Sequence, residues 1–396
     1  MKILLINDYA MEGYGSELQF LNLRDRLRQR GHDVRIFSSN ARLVQKGDIL
    51  ADYQCIGTLS RFLTLLQTAN PWAYWKLWKV LHEFRPDLVH IRDFLTQLSP
   101  LILPLLKDIP ALHHVDILRS VCPMNTKVLS DGSICKFKPG IPCYRQGCIP
   151  LRSLFFQILE LWLYRRWRCN FDRVIAVSHS VRHHLLEDGV KTVDVIWNPV
   201  SMRDARPPLS LPPTVAFAGR LEYEKGVDEL LKAFNKVLPH IPEARLIIAG
   251  DGKQQNYLKS LIFDLGISSN VTMTGHLRRT ELERLFDSAW VQVVPSLWVE
   301  AFGSVAAEAM IRGTAAIASR IGGLAEIVQH GTTGLLVPPG DVDALAEAIK
   351  HILQDRELAE QMGQAGREYA LENFDREIYT DKILQLYESI IQEKGP

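Results

Sequence analysis

The sequence lacks long apolar runs. No stretch reaches the ~18 consecutive apolar residues that a membrane-spanning helix needs. The amino-terminal stretch, Met1 to Asn7, carries one lysine and a very short apolar segment. This is too short for a secretory signal and instead predicts a first buried strand. We therefore expect a cytoplasmic protein.

The chain also has little net charge and few cysteines. The net charge of the 396-residue chain is +1, which gives no electrostatic case for binding nucleic acid. Six cysteines in a chain of this length do not form the dense framework of a secreted disulfide scaffold. Hydrophobic residues make up 47%, as in globular proteins with real cores, and the length predicts two domains.

What the sequence does have is a regular alternation of short apolar runs and longer amphipathic stretches. The runs of the first half predict strands at Lys2–Ile6, Val34–Phe37, Asp87–Ile91, Arg173–Ser178 and Val193–Trp197. Those of the second half predict strands at Thr214–Ala218, Arg245–Ala249, Val271–Thr274, Val291–Pro295, Ala315–Ser319 and Gly334–Val337. Continuous rather than alternating runs are typical of parallel sheets covered on both faces. The predicted fold class is α/β, with a doubly wound sheet in each half.

A proline-rich segment separates the two halves. Four of the seven residues from Pro207 to Pro213 are proline, and such a segment continues neither a helix nor a central strand. We interpret it as a linker. The predicted domains are residues 1–205, with a cysteine-rich insertion at 122–148, and residues 206–374. A final helix at 375–396 is expected to pack back toward the first domain.

Two carboxylates flank a predicted helix start in the second half. Glu300 follows the strand Val291–Pro295, Gly303-Ser304 opens an apolar helix, and Glu308 lies more than one turn inside it. The free N–H groups and dipole of a helix start suit a phosphate. Carboxylates suit sugar or ribose hydroxyls instead. Taken alone, the segment is equally consistent with one helix-start charge and one solvated charge.

Other loops that follow strands carry cations and glycines. Arg220 and Lys225 lie between the strand Thr214–Ala218 and the next helix, where they can reach a diphosphate. The alternative is two ordinary surface cations. Glycines at Gly250-Asp251-Gly252 and at Gly322-Gly323 permit close approach of the backbone to a ligand, or mark structural turns.

In their order along the chain, these segments resemble the retaining glycosyltransferases of family four. The resemblance spans essentially the whole chain and is strongest from Thr214 to Asp341. It implies the GT-B fold, two Rossmann-like domains facing a cleft. It also implies transfer of a sugar from a UDP- or GDP-sugar to an acceptor hydroxyl with retention of configuration, without a required metal. A carbohydrate or lipid-linked acceptor in cell-surface polysaccharide or glycolipid synthesis fits this family.

The resemblance also implies roles for individual residues. Arg220 and Lys225 would neutralise the donor diphosphate, Glu308 would bind the ribose and Glu300 the sugar. Further donor contacts would come from Gly13, Gly15, Gly250, Gly275, Leu277, Phe302, Gly303 and Ser304.

The first half departs from the family pattern at one catalytic position. Relatives often carry a donor-sugar histidine shortly before a Cys-Pro pair like Cys122-Pro123. Here Asp116 stands at that position, and a small shift in alignment would place His114 there instead. A histidine on a strand is more often packed and hydrogen-bonded than catalytic. Both residues remain candidates, together with Glu300 and the two cations.

Four cysteines lie in one predicted loop: Cys122, Cys135, Cys143 and Cys148. Their spacings of twelve, seven and four intervening residues lack the C-x2-C pairs of an ordinary zinc site. A tetrathiolate structural metal site, redox-labile disulfides and free thiols all remain open, although a cytosolic chain disfavours stable disulfides.

Two stretches combine aromatic and basic residues, at Trp72–Lys79 and Leu151–Arg168. Basic helices with aromatic side chains suit membrane surfaces. Helices that pack on the sheet and carry extended Arg and Lys side chains at their ends are the alternative. A membrane contact would favour a lipid-linked acceptor and a peripheral position at the inner face of the membrane.

Two other functions remain to be weighed. One is a different GT-B sugar enzyme, an epimerase or phosphorylase, which the combination of Arg220, Lys225, Glu300 and Glu308 disfavours. The other is a binding or regulatory subunit that has lost turnover, for which Asp116 is the one supporting feature.

Overall fold

The chain folds into two compact units. The computed structural model describes residues 1–11, 15–42, 48–60, 62–129 and 133–395. Unit 1 comprises Met1–Trp197 and Glu377–Pro396, and unit 2 comprises Asn198–Arg376. In the described residues, each unit contains one fully parallel sheet.

The sheet of unit 1 is formed by seven described strands. They are β1 (Lys2–Ile6), β2 (Asp33–Ser39), β3 (Tyr53–Cys55), β4 (Leu88–Ile91), β5 (Ala111–Val115), β6 (Arg173–Ala176) and β7 (Val193–Val195). Their order is β3-β2-β1-β4-β5-β6-β7. Strands β4 and β5 are buried along their whole length, as expected of a sheet covered on both faces.

Helices connect these strands. They are α1 (Gly15–Gln29), α2 (Leu63–Thr68), α3 (Pro71–Phe84), α4 (Ile141–Arg145), α5 (Leu151–Trp167) and α6 (His179–Glu187). Short 3₁₀ helices lie at Pro100–Leu106, Leu118–Ser120 and Arg168–Asn170. The side chain of Asn70 accepts from the Ala73 amide at 3.0 Å, so α3 begins with a capped first turn and proline at its first position.

The sheet of unit 2 has six described strands. They are β8 (Thr214–Ala218), β9 (Arg245–Ala249), β10 (Val271–Gly275), β11 (Val291–Val294), β12 (Ala315–Ser319) and β13 (Gly334–Val337). The strands are ordered β10-β9-β8-β11-β12-β13. From β8, the chain adds strands first toward one edge of the sheet and then, from β11 onward, toward the other edge, so a topological switch point lies between β8 and β11. Ligands of open α/β sheets bind at such a switch point, outside the carboxyl ends of the strands.

Helices cover this second sheet. They are α7 (Val227–Val237), α8 (Gln255–Asp264), α9 (Arg279–Phe286), α10 (Ser304–Arg312), α11 (Leu324–Ile327), α12 (Val342–Gln354) and α13 (Arg356–Asn373). A 3₁₀ turn at Tyr223–Lys225 precedes α7. The apolar sides of α7 and α12 pack together over the sheet, and the predicted doubly wound α/β class is confirmed in both units.

The proline-rich segment is part of unit 2 rather than a free linker. Leu209 is buried in the core of that unit. The indole N–H of Trp290 donates to the Ser210 carbonyl at 2.8 Å, and the Leu209 amide donates to the Glu360 carboxylate at 2.7 Å. Composition predicted a break in regular structure here, but not these anchors.

The last helix, α14 (Arg376–Lys394), packs on unit 1 from Glu377 onward. Its buried side chains recur at helical spacing and join the core of β1, β2 and β4: Tyr379, Ile383, Tyr387 and Ile390. The Tyr387 hydroxyl lies 2.5 Å from Nδ1 of His90 on β4. No helix in the described ranges is long and apolar enough to cross a membrane.

Candidate functional site

The loops at the switch point of unit 2 carry most of the predicted site residues. Strand β8 leads into the loop Gly219–Gly226, and β11 leads into the loop Pro295–Gly303. Because β8 and β11 pair in parallel, the two loops leave the same edge of the sheet.

An ion pair joins these two loops. The Lys225 ammonium lies 2.5 Å from Oε1 of Glu300, and the two side chains are only 16% and 12% exposed. The Ser296 hydroxyl donates to the same carboxylate oxygen at 2.8 Å. The Lys225 ammonium also lies 4.8 Å from the centre of the Trp298 ring. The structure thus brings together a cation and a carboxylate that are 75 positions apart in sequence.

The Glu300 carboxylate is held in its charged form. Burial alone would raise its pKa, but the charge of Lys225 and the hydrogen bonds from Lys225 and Ser296 bring the pKa below its ordinary value. An ionised carboxylate is a hydrogen-bond acceptor only. Glu300 therefore suits a ligand that presents hydroxyl donors.

Arg220 occupies a more open position in the same loop. Its guanidinium lies 3.3 Å from Glu224, and its side chain is 55% exposed. An exposed pair of this kind contributes little to stability, so its geometry is easily exchanged for another partner. Arg220 and Lys225 therefore supply one exposed and one buried positive charge beside the switch point.

The helix that follows Glu300 begins without a side-chain cap. Gly303 is the residue before the first turn of the nine-residue helix α10, and no side-chain oxygen caps this turn. The N–H groups of a first turn, together with the helix dipole, favour a bound anion. Ser304 opens the helix, and Phe302 is buried just before it.

Glu308 lies on α10, four residues after Ser304 and therefore on the same side of the helix. Its carboxylate is 3.6 Å from the Arg279 guanidinium, and about a third of its side chain is exposed. Burial raises the pKa of Glu308, and the Arg279 charge offsets part of that rise. The carboxylate thus lies one turn inside the helix start, with the charges of Arg279 and Arg312 near it.

The paired glycines Gly322 and Gly323 support the Glu300 loop from behind. The Gly323 amide donates to the Glu300 carbonyl at 2.7 Å. A Cβ on Gly322 would lie 2.3 Å from the same carbonyl oxygen, at a φ of +57°. These two glycines therefore fix the backbone of Glu300 by a close approach that a side chain would prevent.

The other glycine turns form a second contact layer beside β8. The Gly219 amide donates to Ala249 at 3.1 Å, and the Gly250 amide donates to Gly275 at 2.9 Å. A Cβ on Gly250 would lie 1.8 Å from the Gly219 carbonyl oxygen. Leu277 packs against the small apolar cluster that includes Phe286. The loops after three neighbouring strands are therefore held together.

Sequence reasoning missed several residues of this site. Ser296 and Trp298 were not singled out, yet Ser296 bonds Glu300 and the Trp298 ring lies 4.8 Å from the Lys225 ammonium. Arg279, which pairs with Glu308, was not singled out. The sequence signal that could have identified Ser296 and Trp298 is their position directly after the strand β11, where ligand-binding loops begin.

In unit 1, two glycines were predicted to contact the donor. Gly13 lies outside the described residues, and Gly15 is the first residue of α1.

Asp116 follows β5 and is almost fully buried in an ion pair with Arg92, which follows β4. Its other oxygen lies 3.7 Å from Nε2 of His114. Arg92 was not anticipated, although a cation directly after a continuous apolar strand was a usable signal.

The two neighbouring histidines are packed on opposite faces of β5. His114 has no exposed surface, its ring stacks on His90 at 5.4 Å, and burial lowers its pKa well below the ordinary value. His113 packs against Phe94 and Phe171, and burial lowers its pKa to about 3. Both rings are neutral and enclosed. Of Asp116 and His114, only Asp116 lies beyond the end of the strand, where loop residues meet ligands.

A metal site was one of the predicted states of the four-cysteine loop, and the described residues show no side chains arranged for one. All six cysteines are free thiols. The described residues, which include all four loop cysteines, contain no group of three or more His, Cys, Asp or Glu side chains placed to hold a metal ion. The thiols of Cys135 and Cys148 point to the carbonyls of Phe137 and Gln146 instead. Burial raises the pKa of Cys143, and the nearby thiols of Cys122 and Cys135 raise it further.

Comparison with known proteins covers nearly the whole chain. Residues 203–369 match the model of glycosyl transferases group 1, and residues 14–203 match the model of glycosyltransferase family 4. A glycogen synthase of Mycobacterium tuberculosis is 30% identical over 312 residues, which are 77% of this chain and 69% of the relative.

Solved structures share the same fold. A sucrose-phosphate synthase from Thermosynechococcus elongatus aligns over 99% of both chains with a TM-score of 0.76 and 23% identity. The Anabaena protein HepE, solved in complex with UDP, aligns over 98% of this chain and 100% of its own with a TM-score of 0.69 and 20% identity.

Proposed function

This chain belongs to the glycosyl transferases group 1 family, and from that membership we propose how its residues carry out the reaction. The chain is a nucleotide-sugar-dependent glycosyltransferase of the GT-B fold. In our proposal, the donor binds at the switch point of unit 2. Arg220 and Lys225 contact the diphosphate, Glu308 binds the ribose and Glu300 binds the sugar.

The observation that carries this assignment is the ion pair between Lys225 and Glu300. A nucleotide sugar presents a diphosphate, which needs a cation, directly bonded to a sugar, whose hydroxyls need an acceptor. The pair offers both groups 2.5 Å apart, fixed by Ser296 and largely shielded from water. Lys225 can contact a phosphate oxygen and still neutralise Glu300.

The chemistry that follows is stabilisation of a departing diphosphate. The bond between the anomeric carbon and the phosphate oxygen breaks while a bond to the acceptor oxygen forms on the same face. The acceptor proton passes to the departing phosphate oxygen. Lys225, Arg220 and the start of α10 are preorganised positive groups where negative charge develops. Glu300 orients the sugar so that the same-face attack is geometrically possible.

For Asp116 we propose a role at the donor sugar in place of a histidine. The pairing with Arg92 keeps this carboxylate in one orientation at the end of β5. A carboxylate would accept a hydrogen bond from a sugar hydroxyl, whereas a neutral histidine would either accept or donate one. His114, enclosed behind it, would then have a packing role.

The finer identity of the substrates belongs to the same proposal. A UDP-sugar is the first donor to test, because HepE was solved with UDP, and a GDP-sugar is the second. The base would contact the turn at Gly275–Leu277. We propose a carbohydrate or lipid-linked acceptor and a peripheral position at the inner face of the membrane.

The test is a turnover assay that follows release of the nucleoside diphosphate. The wild-type protein, given UDP- and GDP-sugars with carbohydrate acceptors, should turn over at least one donor. Glu300→Gln should lower the rate about ten- to a hundredfold, because a hydrogen bond to a charged acceptor contributes about 1.5–3 kcal/mol.

The matched control is Glu347→Gln, at an exposed carboxylate on α12. This variant should keep the wild-type rate. Equal rates for wild type and Glu300→Gln would defeat the assignment of the sugar site.

A further inference from the structure

Helix α5 turns an apolar stripe toward water. Its exposed positions Leu151, Phe155, Ile158 and Trp162 recur at helical spacing, and Phe155 and Trp162 are 68% and 59% exposed. The opposite side of the helix holds Glu160, which is buried and paired with Arg119 at 3.1 Å. The inner side also buries apolar residues, among them Leu161 and Tyr164, so α5 is apolar on two sides. An ordinary surface helix turns a single apolar stripe, and turns it toward the core.

Neighbouring helices extend this stripe. Helix α2 packs on α5, where the Thr68 hydroxyl donates to the Phe156 carbonyl at 3.3 Å, and it exposes Leu65. Helix α3 follows α2 directly and exposes Trp72 and Trp75.

Both α3 and α5 pack against the 3₁₀ segment Pro100–Leu106, so the three helices lie in one layer of unit 1. We call their exposed apolar side chains the outer face: Leu65, Trp72, Trp75, Phe155, Ile158 and Trp162. Six large apolar side chains exposed on helices that pack on one another or on a common segment are more than single scattered exposures, and such groups mark binding surfaces.

Positive charges border the outer face. Lys76 is exposed on α3, and Arg152 and Arg166 are exposed on α5. Lys79 on α3 is exposed as well, but it pairs with Glu83 at 3.5 Å. Along α5, the single acidic residue is the buried Glu160. The border of the face is therefore predominantly basic.

An open pocket of about 510 Å³ lies at the carboxyl end of α5 and adds to this charge. Its lining includes Arg165 and Arg168, which share the single carboxylate of Asp188 at 2.6 and 2.5 Å. Two guanidinium groups on one carboxylate leave an excess positive charge next to the outer face.

We propose that the outer face docks on the surface of an anionic lipid bilayer. Tryptophans suit the boundary between headgroups and acyl chains, and bordering lysines and arginines suit anionic headgroups. A second copy of this chain fits less well. A symmetric dimer would place the same basic border against itself, because a two-fold interface pairs a surface with its own copy. This inference adds to the proposed transfer reaction and does not depend on it.

Vesicle flotation tests the proposal with the full chain. Wild-type protein should float with phosphatidylcholine vesicles that contain phosphatidylglycerol, and less with phosphatidylcholine alone or at high salt. The double variant Phe155→Ser/Trp162→Ser should lower the bound fraction at least about tenfold, since each aromatic side chain carries much of the apolar area available for burial.

The matched control is Phe263→Ser on α8 of unit 2, a phenylalanine that is 78% exposed and lies outside the outer face. It should float as the wild type does. Both variants replace exposed side chains, so both should keep the wild-type melting temperature and the wild-type turnover of a soluble acceptor. If all three proteins turn over a soluble acceptor and the double variant floats as well as the wild type, the bilayer proposal is overturned and the proposed reaction is unaffected.

Two further outcomes would also overturn the proposal. One is wild-type protein that stays unbound with anionic vesicles. The other is a wild-type dimer in analytical ultracentrifugation that the double variant converts to a monomer, because the outer face would then be the interface between two copies.

Discussion

The ion pair of Lys225 and Glu300 places two buried, opposite charges next to each other at the switch point of unit 2. Each lies in a loop after a strand, and each is more than four-fifths buried. A buried charge without its partner is costly, so the two residues are coupled in stability as well as in function. In the proposed donor site, this pair is therefore a structural element as well as a ligand contact.

Lys225→Met tests this coupling. Methionine keeps an apolar stem but leaves the Glu300 carboxylate buried with no ammonium, so we expect a loss of about 3 kcal/mol in the free energy of unfolding. Restoring neutrality with Lys225→Met/Glu300→Gln should recover part of this loss. The measurement is urea unfolding followed by tryptophan fluorescence.

Lys236→Met is the control for the same substitution at an exposed ion pair with Asp343. Exposed pairs contribute about 0–1 kcal/mol, so this variant should unfold close to the wild type. If Lys225→Met is no worse than the control, the pair is not buried as described.

The location of individual charged residues was predictable where they follow a strand, whereas their roles toward a donor stay predictions. Glu300, Glu308, Arg220 and Lys225 are charged residues in such places, and the structure puts them at one switch point. Their partners were not predictable, because pairings such as that of Asp116 with Arg92 depend on which strands become neighbours.

At the scale of elements, the loop behind the site matters as much as the helix in front of it. The glycine pair after β12 supports the Glu300 carbonyl, and β11, α10 and this turn form one support for the carboxylate. A defect in this support should therefore alter catalysis more than stability.

Gly322→Ala tests the support. Its Cβ would lie 2.3 Å from the Glu300 carbonyl oxygen, so the loop must move. We expect turnover to fall about a hundredfold, the effect of a shift of about 1 Å in a positioning residue.

Gly331→Ala separates this displacement from backbone strain. Gly331 also has a positive φ, +82°, but its Cβ would meet nothing within 4 Å. Both variants should lose about 1 kcal/mol of stability from the left-handed backbone. Only Gly322→Ala should lose turnover, and equal turnover in the two would contradict the supporting role.

Elements were predicted well wherever periodicity reports burial. The continuous apolar runs became parallel strands because both faces of each sheet are covered. The proline-rich segment was misread, since proline reports local backbone geometry and not the packing of Leu209 or the hydrogen bond from Trp290. The cysteine loop was ambiguous for a similar reason, because spacing does not fix where the thiols point.

At the scale of the whole molecule, two sheets of the same construction carry different features. Unit 2 has the Lys225–Glu300 ion pair at its switch point. Unit 1 has the buried Arg92–Asp116 ion pair and the exposed outer face. The α/β alternation that defines the fold was readable from sequence. The outer face was only half readable, because the aromatic content of α5 does not reveal which side of the helix meets water.

The central claim is that the nucleotide sugar binds at the switch point of unit 2. Hydrogen exchange followed by mass spectrometry, with and without saturating UDP or GDP, tests it most directly. The account predicts slower exchange in the segments 219–226 and 300–308, and loss of this protection in Lys225→Met. Protection by neither nucleotide, or protection confined to segments of unit 1, would contradict the claim.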